Sequence, residues 1–407
     1  MKKKITGIFA LLLAAVIGIN ISGCAKRVQA ADLSQGITPV KVEGKAADAK
    51  YSAAQMNFAL KLLEKTFEEK GKENLLVSPV SVTLALAMTS NGADGETKKQ
   101  FETLLGSGMD TDELNAYLYT FLQSLSNENA GKLKTANSIW FNTEHHSFEA
   151  DRTFLQKNAD YYGAEAYKSA FDRKTLRDIN NRVKKNTDGM IEKIIDDFDP
   201  SAVMYLINTV LFDAEWENIY KKDEVRDGTF TALDGTKKTV PMMYSEEHSY
   251  LDDGKATGFI KPYKNGYSFL ALLPNEGVSL GDYAASMTGK SYIDTIKNAK
   301  DVPVETAIPK FSYDYDIEMS GALKALGMPL PFDAEKADFS ALGSSGNGNI
   351  FISRVLHKAY IAVDEKGTKA GAATAVEIKE TAVAVDIYSV TLDRPFIYAV
   401  TDNATGL

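Results

Sequence analysis

The sequence holds a single cysteine, Cys24, so no disulfide can form within the chain. It has four histidines, His145, His146, His248 and His357, and none stands at a ligand spacing such as His-Glu-x-x-His. A Gly-x-Ser-x-Gly elbow and a phosphate-binding Walker loop are both missing. The glycine-rich stretch at residues 343–348 reads as a turn-like linker instead. Asp196, Asp197 and Asp199 cluster, and they read as a solvated helix end, not a calcium site. No group of residues is left that could run a catalytic cycle, so the chain reads as a non-enzyme with no cofactor and no metal. Positive charge is also in the minority, with a formal net charge of −9. Beyond residue 23 the balance is 43 basic against 55 acidic residues. That argues against nucleic acid as a partner and gives no support for a basic membrane patch.

Proline is absent from residues 358–394, so every amide there can donate to a sheet ladder. Within that span, residues 365–379 alternate in character. Thr368, Ala370, Ala372, Thr374, Val376 and Ile378 fall on one side, while Lys369, Glu377 and Lys379 fall on the other. This is the pattern of a half-buried strand. Its apolar side is unusually small where it begins, just after Gly367, which can act as a hinge. Small inward residues suit a segment that slides into a tight slot. Taken alone, the same pattern also fits an edge strand or an Ala-rich surface turn.

The chain opens with Met-Lys-Lys-Lys and an apolar run over residues 5–19. A basic start and a short apolar core mark a secretory signal, and the run is short for a membrane span. Residues 21–24, Ile-Ser-Gly-Cys, resemble a bacterial lipobox, which implies cleavage before Cys24 and a diacylglycerol on its sulfur. Residues 1–23 therefore read as a lipoprotein signal peptide, and 24–52 as the lipidated cysteine and a flexible tether. Residues 53–407 read as one folded domain, since no linker or repeat interrupts them. The protein is expected to be exported and held by its lipid alone at the outer face of a bacterial cell membrane. Ordinary secretion with an incidental cysteine is the alternative.

In the body, Met56, Ala59, Leu60, Leu63 and Phe67 follow helical spacing, with Gly71 as a stop. Ser78 and Pro79 read as an N-cap and first helical residue of a helix running towards Asn91. Strand-like runs follow at residues 204–212, 266–273, 351–363 and 383–400. Helices early and strands late favour an α+β layering. Asn208 and His357 lie inside two of these apolar strands, where each needs hydrogen-bond partners.

Several motifs in fixed order carry a family resemblance. Residues 74–81 (Asn-Leu-Leu-Val-Ser-Pro-Val-Ser), 85–88 and 92–97 resemble the start of a serpin. Residues 208–216, ending in Trp216, are similar to the strand that carries the family's breach tryptophan. Residues 308–311, 337–340, 357–368 and 393–396 continue in the family's order. The resemblance covers residues 53–407 and implies three β-sheets with about nine helices and an exposed reactive-centre loop. It assigns Ser78, Ser81, Asn208 and His357 to a shutter beneath the central strands. It assigns Trp216, Lys310 and Glu365 to a breach, and Glu365, Gly367, Thr368, Ala370, Ala372 and Thr374 to the hinge of the loop.

The function it implies is that of a suicide inhibitor of serine endopeptidases, with cysteine endopeptidases as a second class. The inhibitor acts as a monomer and forms a covalent 1:1 complex, with the loop inserting into the main sheet. Counting from Gly367 places the reactive bond between Thr381 and Ala382, with Lys379 and Glu380 as neighbouring alternatives. Small residues there favour an elastase-like or subtilisin-like protease. The alternative within the family is a non-inhibitory serpin serving as a surface binding lipoprotein; the small residues of the hinge argue against it. Lys369 and Gly371 depart from the family's common hinge residues. The family also continues past the position of Leu407 into one further core strand. That strand is expected to lie beyond these residues, the alternative being that it is missing, which would compromise the metastable state.

Overall fold

Pro79 begins the helix Pro79–Ser90, where a missing amide leaves no helical bond unmade. From Ser81 to Ser90 every residue is buried, as a helix apolar on all sides requires. It lies against the strand Met204–Glu215, whose first eight residues are buried on both faces. These two elements form the centre of the largest core cluster, to which Phe58, Leu84, Leu206 and Ile317 belong.

The structure is a computed structural model that describes residues 30–71, 73–125, 132–143, 148–199, 202–346, 348–368 and 388–406. Among the described residues there are nine α-helices and three β-sheets, in the α+β arrangement expected. Helices Ala49–Lys70, Pro79–Ser90, Gly95–Gly106 and Thr111–Leu125 come first in the chain. The main sheet has seven strands in the order Ala31–Asp32, Glu165–Ser169, Lys132–Asn142, Met204–Glu215, Gly367–Thr368, Arg354–Asp364 and Phe311–Glu318. Helix Arg173–Asn186 covers its other face, setting Ile179 and Val183 against Trp140, Tyr205 and Leu356.

A second seven-stranded sheet is built around Lys237–Asp252, Ala256–Pro262 and Tyr267–Pro274. Its last strand, Ile397–Asp402, pairs with Tyr267–Pro274. An apolar cavity of about 640 Å³ runs beside that strand, lined by residues such as Leu76, Val210, Phe212 and Tyr398.

Three expectations differ from what is seen. The segment read as a tether is laid along the body from Ala30 onward. Ala31–Asp32 pairs antiparallel with Glu165–Ser169, and Leu33 and Ile37 pack on the main core. The Gln156 side chain donates to the Thr38 carbonyl, and Lys45 N to the Ala116 carbonyl. An edge strand with free backbone groups and an apolar seat for two side chains is enough to hold this segment. Gly343–Ser345, read as a linker, pairs with Phe148–Ala150 as a third small sheet. Asp196, Asp197 and Asp199 lie in coil beyond the helix, which ends at Asn186.

Candidate functional site

The strands Met204–Glu215 and Arg354–Asp364 run parallel, and their direct pairing extends from Tyr205↔Arg354 to Leu211↔Tyr360. Above that point they part. Gly367–Thr368 is wedged between them, with Gly367 opposite Glu215 and Asp364, and Thr368 opposite Ala214 and Val363. The main sheet is thus closed below and held open above by two residues.

A side chain at position 367 would not fit this wedge. A Cβ there would sit 2.1 Å from the Ala214 carbonyl oxygen and 2.9 Å from the Glu215 Cα. Close backbone approach on this side is what demands glycine. Asp364 shapes the preceding turn by accepting from Lys366 N at 2.8 Å and Gly367 N at 3.3 Å. Thr368 is 1% exposed, and its hydroxyl lies 2.6 Å from Tyr263 OH. Burial pushes the Tyr263 phenol well above its ordinary value, so it keeps its proton.

Trp216 braces the turn from the other side. Its indole Nε1 donates to the Asp364 carbonyl at 2.8 Å and its backbone N to the Lys366 carbonyl at 2.9 Å. Tyr220 N donates to the Glu365 carbonyl at 2.8 Å. The Trp216 ring stacks on Tyr263 with centroids 4.3 Å apart. Lys310 donates to Glu365, and that hydrogen bond holds the carboxyl below its ordinary pKa.

Lower down, where the strands still touch, Asn208 and His357 face each other in register. Ser78 N donates to His357 Nε2 at 3.1 Å, so that nitrogen must be an acceptor. The ring proton is then on Nδ1, which lies 2.6 Å from Asn208 Oδ1. The Asn208 amide nitrogen donates to the Ser81 carbonyl and, at 2.7 Å, to Asn137 Oδ1. Ser81 Oγ donates to the Thr209 carbonyl at 3.3 Å. Every polar atom of the central pair has a partner. Full burial pushes the His357 pKa down to about 4, which keeps the imidazole neutral in this ring of bonds.

The structure therefore brings Ser78, Ser81, Asn208 and His357 into one cluster, and Trp216, Lys310, Glu365, Gly367 and Thr368 into another. Ala370, Ala372, Thr374, Thr381, Ala382 and Cys24 lie outside the described residues. Sequence reasoning missed Asn137 and Tyr263. Asn137 carried no signal beyond polarity, and Tyr263 was one of 19 tyrosines. Among the described residues no group of three or more His, Cys, Asp or Glu could hold a metal ion.

Comparison with known proteins agrees over the whole body. Residues 53–407 match the family described as Serpin (serine protease inhibitor). Human neuroserpin is 29% identical over 354 residues, covering 82% of this chain and 84% of that protein. Serpin-ZX of Arabidopsis thaliana is also 29% identical, over 82% of this chain and 90% of the plant protein. The crystal structure of the thermophilic serpin tengpin in the native state superposes with a TM-score of 0.89 at 48% identity. That match covers 93% of this chain and 97% of tengpin. The latent state of tengpin superposes with a TM-score of 0.78, covering 89% of this chain and 97% of tengpin.

Proposed function

The chain belongs to the serpin family, and we propose that it is an inhibitory member, a suicide inhibitor of serine endopeptidases. In this reading the protease hydroxyl attacks the carbonyl of Thr381. The Thr381–Ala382 amide breaks, and Ala382 leaves as a new amino terminus. Before water releases the acyl-enzyme, residues beyond Thr368 enter the main sheet as a central strand and carry the protease with them. Insertion of the reactive loop as an added strand is the general mode of serpin action, and the strain it releases can be spent once.

The observation that supports this reading most is the seat of Gly367 and Thr368 between the two parted strands. Continued at the same register, Ala370 falls opposite Phe212 and Ile361, and Ala372 opposite Val210 and Ala359. Thr374 falls opposite Asn208 and His357, so the direct pairing of these two rows has to open for it. Side chains directly opposite share a face, and Phe212 and Val210 line the interior. Small residues at 370, 372 and 374 meet the least resistance there. Glycine at 367 is already demanded by the entry geometry.

The further parts of the proposal come from the sequence. Small residues at the reactive bond favour an elastase-like or subtilisin-like protease. Cys24 is the lipid attachment point, and the protein acts as a monomer at the outer face of a bacterial membrane. The test is incubation with a panel of serine and cysteine proteases, read on denaturing gels and by mass spectrometry. At least one protease should form a 1:1 complex that survives denaturant and releases the peptide starting at Ala382. Cleavage of the loop by every protease without such a complex would refute inhibition.

A further inference from the structure

Glu247 and Lys261 form the one ion pair among the described residues with both side chains buried, Lys261 Nζ lying 2.7 Å from Glu247 Oε1. The carboxylate also accepts from Ser245 Oγ at 2.6 Å, and that hydroxyl lies 3.2 Å from Tyr220 OH. Ser245 Oγ and Thr306 Oγ1 are 3.0 Å apart. On its other side the Lys261 ammonium stands 4.5 Å from the centre of the Tyr220 ring and 5.5 Å from that of Trp216.

Taking two charges out of water is costly, and apolar replacement of a buried pair often leaves a protein as stable or more so. Stability alone therefore does not account for this one. Its neighbours suggest what does. Trp216 N and Tyr220 N are the donors that hold the carbonyls of Lys366 and Glu365, the turn just before the hinge. Trp216 also stacks on Tyr263, whose hydroxyl meets Thr368. Packing and the Nε1 hydrogen bond confine the Trp216 ring, and a cation over an aromatic face adds an electrostatic preference for one orientation. Lys261 supplies that cation to both rings, and Glu247 holds Lys261 in place.

We propose that the Glu247–Lys261 pair is a positioning element for loop entry: it orients Trp216 and Tyr220, and through them the turn that carries Gly367 and Thr368. This rests on the inhibitory reading above. Among the described residues the pair's contacts run to Ser245 and to the Tyr220 and Trp216 rings, not to Gly367 or Thr368, so both act through the rings.

The experiment replaces the pair with apolar residues, Lys261→Met together with Glu247→Leu, in a Trp140→Phe background. The chain has two tryptophans, so Trp216 is then the sole indole emitter. The variant should melt at or above the wild-type temperature. It should nonetheless show altered Trp216 emission and about a threefold smaller trapped fraction of subtilisin, since a small rise in the insertion barrier favours hydrolysis. Lys261→Arg, which keeps the pair, should restore both readouts towards wild type. Unchanged emission together with unchanged trapping would overturn the proposal. If the parent chain traps no protease, the inhibitory reading fails separately, and Trp216 emission alone decides the positioning role. Lys261→Met with Glu247→Gln keeps the acceptor for Ser245 and serves if the first variant does not fold.

Discussion

Asn208 and His357 meet across the seam of two parallel strands, side-chain oxygen to ring nitrogen at 2.6 Å. They are 149 residues apart in the chain. Their bond closes the main sheet at a row that an inserted strand would have to pass, so the contact that fastens the native sheet is one the proposed mechanism has to open.

Protonating His357 would break that closure. Its ordinary value of 6.5 is pushed to about 4 in the folded chain by burial. The unfolded chain therefore takes up the proton first, and stability falls as pH drops from about 6.5 towards 4. The full effect is about 3 kcal/mol for a shift of that size. Melting temperatures between pH 7.5 and 4 should fall steeply in this window for wild type and more gently for His357→Gln. Equal slopes would mean that other groups control acid stability.

Asn208→Ala would remove three bonds at once, those to His357 Nδ1–H, the Ser81 carbonyl and the Asn137 side-chain oxygen, and leave the His357 N–H unpaired. Leaving buried polar groups unpaired costs about 1–3 kcal/mol. Chemical denaturation should show a loss in that range, and Asn137→Ala should lose less because it removes a single bond of the ring.

Thr368→Arg tests the hinge. Thr368 is buried and in contact with Tyr263, so an arginine there is an unpaired ion in the sheet interior, worth several kcal/mol. Expelled from this seat in the native sheet, the arginine has to be buried again for the loop to insert, and each ~1.4 kcal/mol this adds to the insertion barrier slows that step about tenfold. The variant should be cleaved at the same bond as wild type yet release active protease. Lys369→Arg, on the charged side of the sequence alternation, should trap normally. Efficient denaturant-stable complexes with Thr368→Arg would rule out entry through this hinge.

Specificity is addressed by Thr381→Arg, which should turn preference towards trypsin-like proteases through their acidic primary pocket. Mapping the wild-type cut to Lys379 or Glu380 would show that the loop register is different.

For the anchor, Cys24→Ala should move the protein from the membrane to the soluble fraction of its host while its rate of protease trapping stays the same. A wild-type protein that is soluble and carries no acyl group would refute lipidation.

Much of this was legible in the residues themselves. A run of strand formers from Met204 onward, a serine followed by proline before an apolar stretch, and a small-residue alternation after Gly367 are local statements. Backbone geometry and periodicity carry them without knowledge of neighbours. The motif order likewise pointed to the family and so to the clusters at Asn208 and Trp216. Periodicity says which face of a strand is inward, but not what lies across from it. Lys261 and Glu247 gave no hint of meeting, because their contact depends on the register of the neighbouring antiparallel strands Lys237–Asp252 and Ala256–Pro262. Residues 30–48 read as a spacer, because their composition is polar. Their attachment depends on an edge strand and an apolar seat that exist only once Glu165–Ser169 and the helices beside it are assembled.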